Sequence, residues 1–186
     1  MVKTGFEMRF SFPAVLAVIL STDTVGTAFF CLLACGLHEM GHIAVMFLSG
    51  NPPEQIIIYG GGIRLKGGFK TIPVIISGCC VNFVLFFIFW FLGNSDDLKL
   101  FGMINLLTGI FNLIPIQPLD GYNLTEKAVL RILPAEKISV IMRIVELSAS
   151  LLSAPLIVMF FINGYVNFSS VIFLFYIFVV DIMENL

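Results

Sequence analysis

The chain has 186 residues, of which 59% are hydrophobic and only 12% are charged. Soluble domains average about 45–50% apolar and about 25% charged residues, which excludes an ordinary water-soluble domain. The mean hydropathy of +1.03 indicates a polytopic membrane protein instead. With a formal net charge of −2, the chain has no basic surface for nucleic acid, so no nucleic-acid partner is expected.

Apolar stretches of spanning length divide the chain into six predicted transmembrane helices, each needing about 20 residues. In chain order they are 10–22, 24–50, 71–95, 100–119 and two within 147–180 that are separated at 163–167. The first is the weakest, because it is short and contains Pro13. An alternative is a signal-peptide core, but no small-x-small cleavage site follows it, so we interpret it as a retained helix. The predicted fold class is therefore an all-α polytopic membrane protein.

The positions of Lys and Arg predict the side of the membrane on which each connection lies. With the N-terminus inside, Lys99 is the one basic residue on an outer segment. The remaining basic residues fall on inner segments: Lys3, Arg9, Arg64, Lys66, Lys70, Lys127, Arg131, Lys137 and Arg143. Both termini are therefore expected in the cytoplasm, with the protein in a cell membrane as a multi-pass chain.

Two of the inner connections have secondary structure of their own. Residues 55–59 are rich in isoleucine and are followed by three glycines and by residues 63–66, which predicts a small β-hairpin on the cytoplasmic side. From Tyr122 to Lys137 apolar and charged residues mix in an amphipathic pattern that ends near Pro134. This pattern predicts an interfacial helix.

His38, Glu39 and His42 form the pattern HExxH within the second predicted span. Residues i and i+4 share one face of a helix, so both imidazoles can bind one zinc ion while Glu39 lies beside it as a general base. The alternative is a buried polar cluster that only ties helices together. Ionisable groups in a membrane helix cost about 2.5–3.5 kcal/mol each on insertion scales, which favours a functional site.

A catalytic zinc ion needs a third protein ligand and one open position. The chain has only two histidines, so that ligand must be Asp, Glu or Cys. Asp120 is the best placed, on backbone that Pro115 and Pro118 break at the inner end of the fourth span. Gly121 would allow a sharp turn there. The alternative is an ordinary interfacial aspartate that caps the next helix.

Cysteine ligands are a further alternative, because Cys31 and Cys35 lie close to the face that carries His38. The groups from Cys31 to His42 extend over about 16 Å of helix, too far for all of them to bind one ion. Cys35 alone could bind it, but we favour its interpretation as a small buried apolar residue. Cys79 and Cys80 are adjacent and form no CxxC pair, so neither a disulfide framework nor a zinc ribbon is predicted.

Gly78 and Asn82 lie at positions i and i+4 of the third predicted span. A close helix contact and a polar side chain therefore share one face. Two interpretations of Asn82 stay open. Its amide either holds a peptide substrate or its oxyanion, or links neighbouring helices by hydrogen bonds.

The motifs HExxH, GxxxN and NxxPxxPxDG begin at His38, Gly78 and Asn112. In this order they resemble the three-helix core of the site-2 protease family of intramembrane zinc metalloproteases. The six-helix layout is most similar to the bacterial branch that processes sporulation sigma factors, which implies a bacterial source. The resemblance implies zinc ligands and a catalytic base at these positions: His38, His42 and Asp120 as ligands and Glu39 as the base.

The resemblance also implies a substrate-binding region. The predicted hairpin lies where the family has a β segment that holds the substrate in extended form, and strand addition suits that task. Four residues are expected to contact substrate: Asn82, Asn112, Ile57 and Ile58.

Family members often carry a PDZ or a CBS domain, and this sequence has room for neither. We expect one transmembrane metalloprotease domain over residues 1–186, with a core of about 25–121 and C-terminal helices over about 122–186. The expected partners are the lipid bilayer, a membrane-protein substrate with a transmembrane segment, and a regulatory membrane protein. The expected cofactor is one catalytic zinc ion.

The predicted function is hydrolysis of a peptide bond within or next to a transmembrane segment. A membrane zinc transporter or sensor is the main alternative, since it would use similar ligands without needing Glu39 as a base. A prenyl-protein endoprotease also carries HExxH in a membrane, but its third ligand is a glutamate. A proteolytically inactive scaffold is the last alternative, and the complete motif set gives no reason to prefer it.

Overall fold

The computed structural model describes residues 4–10, 12–13, 16–17, 27–59, 62–68, 71–117 and 119–162, which form five helices and a small sheet. In chain order the elements are β1 (Gly5–Met8), α1 (Thr27–Leu48), β2 (Gln55–Tyr59), β3 (Gly62–Lys66), α2 (Ile72–Leu92), α3 (Asp96–Asn112), α4 (Asp120–Leu130) and α5 (Ala135–Ile162). The mainly helical architecture agrees with the predicted fold class.

Two helices of the described part of the chain are long and apolar enough to cross a membrane. They contain the segments Phe29–Leu48 of α1 and Ile72–Leu92 of α2. Large apolar side chains on these helices are exposed, among them Phe87 at 58% and Leu48 at 86%. The predicted span 10–22 lies largely outside the described residues, and the second of the two spans predicted within 147–180, which follows the break at 163–167, lies wholly outside them. The count of six spans therefore stays a prediction.

The sheet is larger than predicted. The predicted hairpin is confirmed, since β2 and β3 pair antiparallel from Gln55 opposite Lys66 to Tyr59 opposite Gly62. In addition, β1 pairs with β2 in parallel, with Gly5 opposite Gln55, so the strand order is β1-β2-β3. This third strand was not predicted, because its four residues carry no alternation long enough to mark a strand.

Helix α3 is shorter than the predicted span 100–119. It begins after Ser95, whose Oγ accepts a hydrogen bond from the N–H of Leu98 at 3.3 Å. It ends at Asn112, before the two prolines that cannot continue a helix. The irregular backbone predicted ahead of Asp120 is confirmed, but Asp120 itself is the first residue of α4.

The role predicted for Gly121 is wrong. Positive φ angles among the described glycines occur at Gly50, Gly62, Gly67 and Gly68, so Gly121 is not needed for a sharp turn. A Cβ at this position would instead collide with the backbone carbonyl of Leu113. Glycine is needed here because the segment between α3 and α4 packs directly against its Cα.

The predicted interfacial helix from Tyr122 to Lys137 is in fact two helices. α4 ends at Leu130, and α5 begins at Ala135 and continues without a break to Ile162. Pro134 therefore precedes a new helix rather than closing the previous one, which agrees with the preference of proline for helix starts.

The core lies where α2 contacts both α1 and α3. Small residues allow the close crossings: a Cβ on Gly41 would lie 3.0 Å from the Ser77 carbonyl oxygen, and one on Gly102 would lie 3.1 Å from the Trp90 nitrogen. A buried apolar cluster of α1 and α3 contains Ala34, Phe101 and Ile104. These contacts fix the face of α1 that carries both histidines against α2.

Candidate metal centre

The two histidines point from α1 toward α2 and are both buried. His38 is 3% exposed and His42 is 6% exposed. Their Nε2 atoms are 3.1 Å apart, with the ring centroids 4.8 Å apart and the planes at 82°. As the spacing predicts, the helix places both imidazoles on one face and turns the same nitrogen of each toward a common point.

Asp120 reaches this common point from the start of α4. Its Oδ2 lies 3.0 Å from His38 Nε2 and 2.9 Å from His42 Nε2. The chain returns through the irregular segment after α3, and α4 contacts α2, which brings the carboxylate over the imidazoles. The structure therefore brings together the three residues that the sequence analysis names as ligands.

Hydrogen bonds at the far side of each ring fix the tautomers. His38 Nδ1 is 2.6 Å from Asn82 Oδ1, and His42 Nδ1 is 2.6 Å from the Val74 carbonyl oxygen. Both oxygens can only accept, so each Nδ1 carries the proton and donates it. In the neutral imidazoles both Nε2 atoms then present lone pairs toward Asp120.

The amide of Asn82 is itself held in one orientation. Its Nδ2 donates to the Ala34 carbonyl oxygen at 3.2 Å and to Asn105 Oδ1 at 2.9 Å, which leaves Oδ1 to accept from His38. Asn82 and Asn105 are both 0% exposed. These contacts match the interpretation of Asn82 as a link between helices, and in this conformation both of its N–H groups are already used.

The donor set fits a divalent zinc ion. Two lone pairs and a carboxylate oxygen repel one another at these separations unless a cation lies between them. Zinc bonds of about 2.0–2.2 Å to nitrogen and oxygen in tetrahedral geometry place the ligand atoms about 3.3 Å apart, close to the spacing found here. A ring N–H donated to a carbonyl is also the usual outer contact of a metal-binding histidine.

Asp120 is ionised at neutral pH. Desolvation by burial acts to raise the pKa of Asp120, but when the imidazoles carry a proton on Nε2 as well, hydrogen bonding and charge attraction from His38 and His42 outweigh it and hold that pKa at about 2. The side chain is 19% exposed, at the start of α4 and outside the predicted spans. The carboxylate is thus in the form that a metal ion binds.

Gly78 on α2 lies directly against the two imidazoles. A Cβ at this position would lie 2.5 Å from His42 Nε2 and 2.7 Å from His38 Nε2. The sequence predicts a close helix contact at Gly78, and the structure places that contact directly against the Nε2 atoms of both histidines. Any larger residue here would press on both imidazoles.

Glu39 lies next to His38 on α1 and is half-buried. Its position on the same helix turn agrees with a base beside the metal, a role that stays a prediction.

Asn112 is half-buried at the end of α3, where its Nδ2 donates to the Thr108 carbonyl oxygen at 3.0 Å. This bond ties Asn112 to its own helix, so its predicted contact with substrate also stays a prediction.

Ile57 and Ile58 lie on the central strand of the sheet. Ile57 is 2% exposed, and both edges of β2 are paired, to β1 and to β3. A substrate strand therefore cannot add to β2 itself. Within the described residues, the edges without a strand partner are the outer edges of β1 and β3.

The cysteines differ from expectation. Cys35 is exposed rather than buried, so its interpretation as a buried apolar residue is wrong.

Cys79 is 2% exposed, and the ligand atoms of His38, Cys79 and Asp120 all lie within 4.8 Å of one another. Cys79 was not predicted at the centre, because a cysteine outside a CxxC pair has no spacing that marks it as a ligand. Its position next to Gly78 was the signal that could have found it.

Two further groups that hold the histidine rings in place, a backbone carbonyl and a buried helix side chain, were not predicted. The Val74 carbonyl accepts from His42 Nδ1 and, at 2.6 Å, from Ser77 Oγ. A backbone carbonyl has no sequence signature, so it could not be predicted. Asn105 could have been, because a polar residue inside an apolar helix is expensive in a membrane and marks a site of interest.

Comparison with known proteins agrees with this geometry. No family model matches the chain. Over 120 residues it is 33% identical to a protein of Synechocystis sp. named as a zinc metalloprotease, an alignment that covers 57% of this chain and 32% of that protein. Over 134 residues it is 25% identical to a zinc metalloprotease of Methanocaldococcus jannaschii, with 62% of this chain and 40% of that protein covered. The chain thus spans less than half the length of both relatives.

The fold has a counterpart among solved structures. The site-2 protease from Methanocaldococcus jannaschii superposes with a TM-score of 0.61 and 22% sequence identity, covering 96% of this chain and 89% of that one. The predicted resemblance to the site-2 proteases is confirmed: the chain has the site-2 protease fold and is similar in sequence to proteins named as zinc metalloproteases.

Proposed function

We propose that the chain is an intramembrane zinc metalloprotease that hydrolyses a peptide bond within or next to a transmembrane segment of a membrane-bound substrate. The observation that carries this proposal is the convergence of two histidine Nε2 atoms and one carboxylate oxygen of Asp120 within 3.1 Å of one another. The two histidines lie on the helix that also carries the glutamate of HExxH. The names of the relatives and the fold support the same function.

The residues that would hold the zinc ion are His38, His42 and Asp120. When bound, the ion would activate a water molecule and polarise the scissile carbonyl. Asn82 and the Val74 carbonyl keep both imidazoles turned toward it.

Glu39 would accept the proton of the attacking water and deliver it to the leaving amine. This role needs a carboxylate beside the metal but not bound to it. It separates a protease from a zinc transporter or sensor, for which the glutamate would be dispensable.

The sheet offers a place where a substrate could be held in extended form. The outer edge of β3 (Gly62–Lys66) has unpaired backbone groups among the described residues, and adding a strand there would unwind the substrate helix and expose its backbone. Ile57 and Ile58 would then support the sheet from its central strand. Asn112, at the end of α3, would contact the substrate near Asp120.

For topology we propose six spans with both termini and the opening of the site in the cytoplasm. The distribution of basic residues across the predicted connections supports this orientation. The transmembrane core would comprise residues 25–121, followed by C-terminal helices. A bacterial cell membrane and a relation to the sporulation sigma-factor-processing branch belong to the same proposal, together with a regulatory membrane protein as partner.

The test is cleavage of single-span membrane substrates by the wild-type protein and by Glu39→Gln, with products identified by mass spectrometry and zinc content measured separately. We expect Glu39→Gln to keep its zinc and lose about 10²- to 10⁴-fold in cleavage rate, the usual contribution of a general base. Glu136→Gln, a change of the same kind on an exposed residue of α5, is the matched control. A Glu39→Gln protein with full cleavage, or an Asp120→Ala protein that still binds zinc, would contradict the proposal.

A further inference from the structure

The thiol of Cys79 lies at the metal centre but has no part in the proposed reaction. It is 2% exposed on α2, and its sulfur shares a region 4.8 Å across with the ligand atoms of His38 and Asp120. The next residue, Cys80, is exposed. The helix therefore presents one of two adjacent thiols to the centre and turns the other away.

The close approach of α2 to the imidazoles explains why the Cys79 sulfur lies so near the ligand atoms. At Gly78 the backbone is near enough to the imidazoles that a Cβ would overlap both Nε2 atoms, so the neighbouring side chain begins at the edge of the centre. A zinc–sulfur bond of about 2.3 Å in tetrahedral geometry would place the sulfur about 3.5 Å from the other ligand atoms. The separations from the ligand atoms of His38 and Asp120, at most 4.8 Å, exceed this by up to about 1.3 Å, a displacement of the size that a rotation about the Cys79 side-chain bond produces.

We propose that Cys79 is a fourth protein ligand that closes the metal centre in its resting form. The inference rests on the proposed function, because it assumes a metal ion held by His38, His42 and Asp120. Four protein ligands are typical of closed structural zinc sites, whereas catalysis requires one open position. The resting enzyme would therefore be inactive until the sulfur is displaced.

The chemistry of closure is an acid–base exchange without any redox change. The Cys79 thiol gives its proton to solvent, one sulfur–metal bond forms, and the water molecule that otherwise holds that position leaves. Opening reverses each step: water returns, the sulfur–metal bond breaks and the sulfur is protonated. Substrate entering along the centre would favour the open form by taking the space that the sulfur occupies when bound.

The test uses the full-length protein loaded with Co²⁺ in place of zinc. Visible d–d absorption much stronger than that of six-coordinate Co²⁺ reports a tetrahedral cobalt site, and an intense near-ultraviolet sulfur-to-cobalt charge-transfer band reports a bound thiolate. We expect the wild type and Cys80→Ala to show both features. We expect Cys79→Ala to keep the visible absorption and lose the charge-transfer band, with a roughly tenfold or greater loss of metal affinity.

The outcomes separate this inference from the proposed function. Visible absorption without a charge-transfer band in the wild type overturns the role of Cys79 and leaves the metalloprotease intact, whereas neither feature in the wild type overturns both. If Cys79→Ala does not fold, zinc X-ray absorption on the unmodified protein decides the question. A sulfur at about 2.3 Å from zinc supports the inference, and a shell of nitrogen and oxygen alone overturns it.

Discussion

Replacing Gly78 with alanine tests whether the approach of α2 leaves just enough room for the metal. The added Cβ would lie 2.5 Å from His42 Nε2 and 2.7 Å from His38 Nε2. Both rings would have to retreat by roughly 1 Å, about half the length of a zinc–nitrogen bond. Retreat would also stretch the 2.6 Å hydrogen bonds to Asn82 and Val74. Outer contacts of this kind are worth about 10- to 100-fold in metal affinity each, so we expect zinc affinity to fall at least about 100-fold, or about 2.7 kcal/mol.

Two other glycines provide matched controls for Gly78→Ala. A Cβ on Gly36, on the neighbouring helix α1, would meet nothing within 4 Å, so Gly36→Ala should bind zinc normally and gain up to about 1 kcal/mol in helix stability. A Cβ on Gly41 would press on Val81, on Ser77 and on the Cα of Gly78, which pushes α2 away from α1 without adding an atom to α2, so Gly41→Ala should lower the Tm more than the zinc affinity. Chelator competition measures the affinity and circular dichroism the Tm. Zinc affinity within a few-fold of wild type in Gly78→Ala would refute the reasoning.

Three further changes test the surroundings of the centre. Asn82→Ala removes the acceptor for His38 Nδ1 and should lower zinc affinity about 10- to 100-fold in chelator competition; an unchanged affinity would show that the bond does not orient the ring. Gly121→Ala forces a Cβ into the Leu113 carbonyl and should cost about 1–3 kcal/mol of stability, seen as a lower Tm, whereas an unchanged Tm would contradict the packing described. Glu146→Leu removes the carboxylate that accepts a backbone N–H of the segment between α3 and α4. It should destabilise that segment by about 1 kcal/mol, with faster limited proteolysis there, and an unchanged cleavage rate would argue against the contact.

The sequence predicts the three proposed metal ligands better than it predicts the groups that surround them. Helical spacing is enough to place His38 and His42 together, because it depends only on local geometry. Asp120 follows by elimination, although its approach across 82 positions of sequence depends on how α4 packs on α2. The Val74 carbonyl and the position of Cys79 depend on the rotation of α2 about its axis, which the nearly uniform apolar sequence of that helix does not specify.

The errors in the predicted fold have physical causes. Pro134 can end one helix or begin the next, and only tertiary packing decides between them. Strand β1 pairs with β2 across about 50 residues, and a strand of four residues has no local signal that names its distant partner. Cys35 is exposed because an apolar side chain on a membrane-crossing helix can face lipid as well as the core.

The buried amide of Asn82 has a consequence for how the protein is made. Its hydrogen bonds reach His38 and Ala34 on α1 and Asn105 on α3, so they are complete only when all three helices have met. Of these three helices α3 is synthesised last, and until it packs against α2 one amide N–H of Asn82 lacks its acceptor, in apolar surroundings where an unsatisfied group costs several kcal/mol. Assembly of the three helices and orientation of the His38 ring are therefore coupled. A chain whose synthesis stops before α3 keeps an Asn82 N–H group without its acceptor.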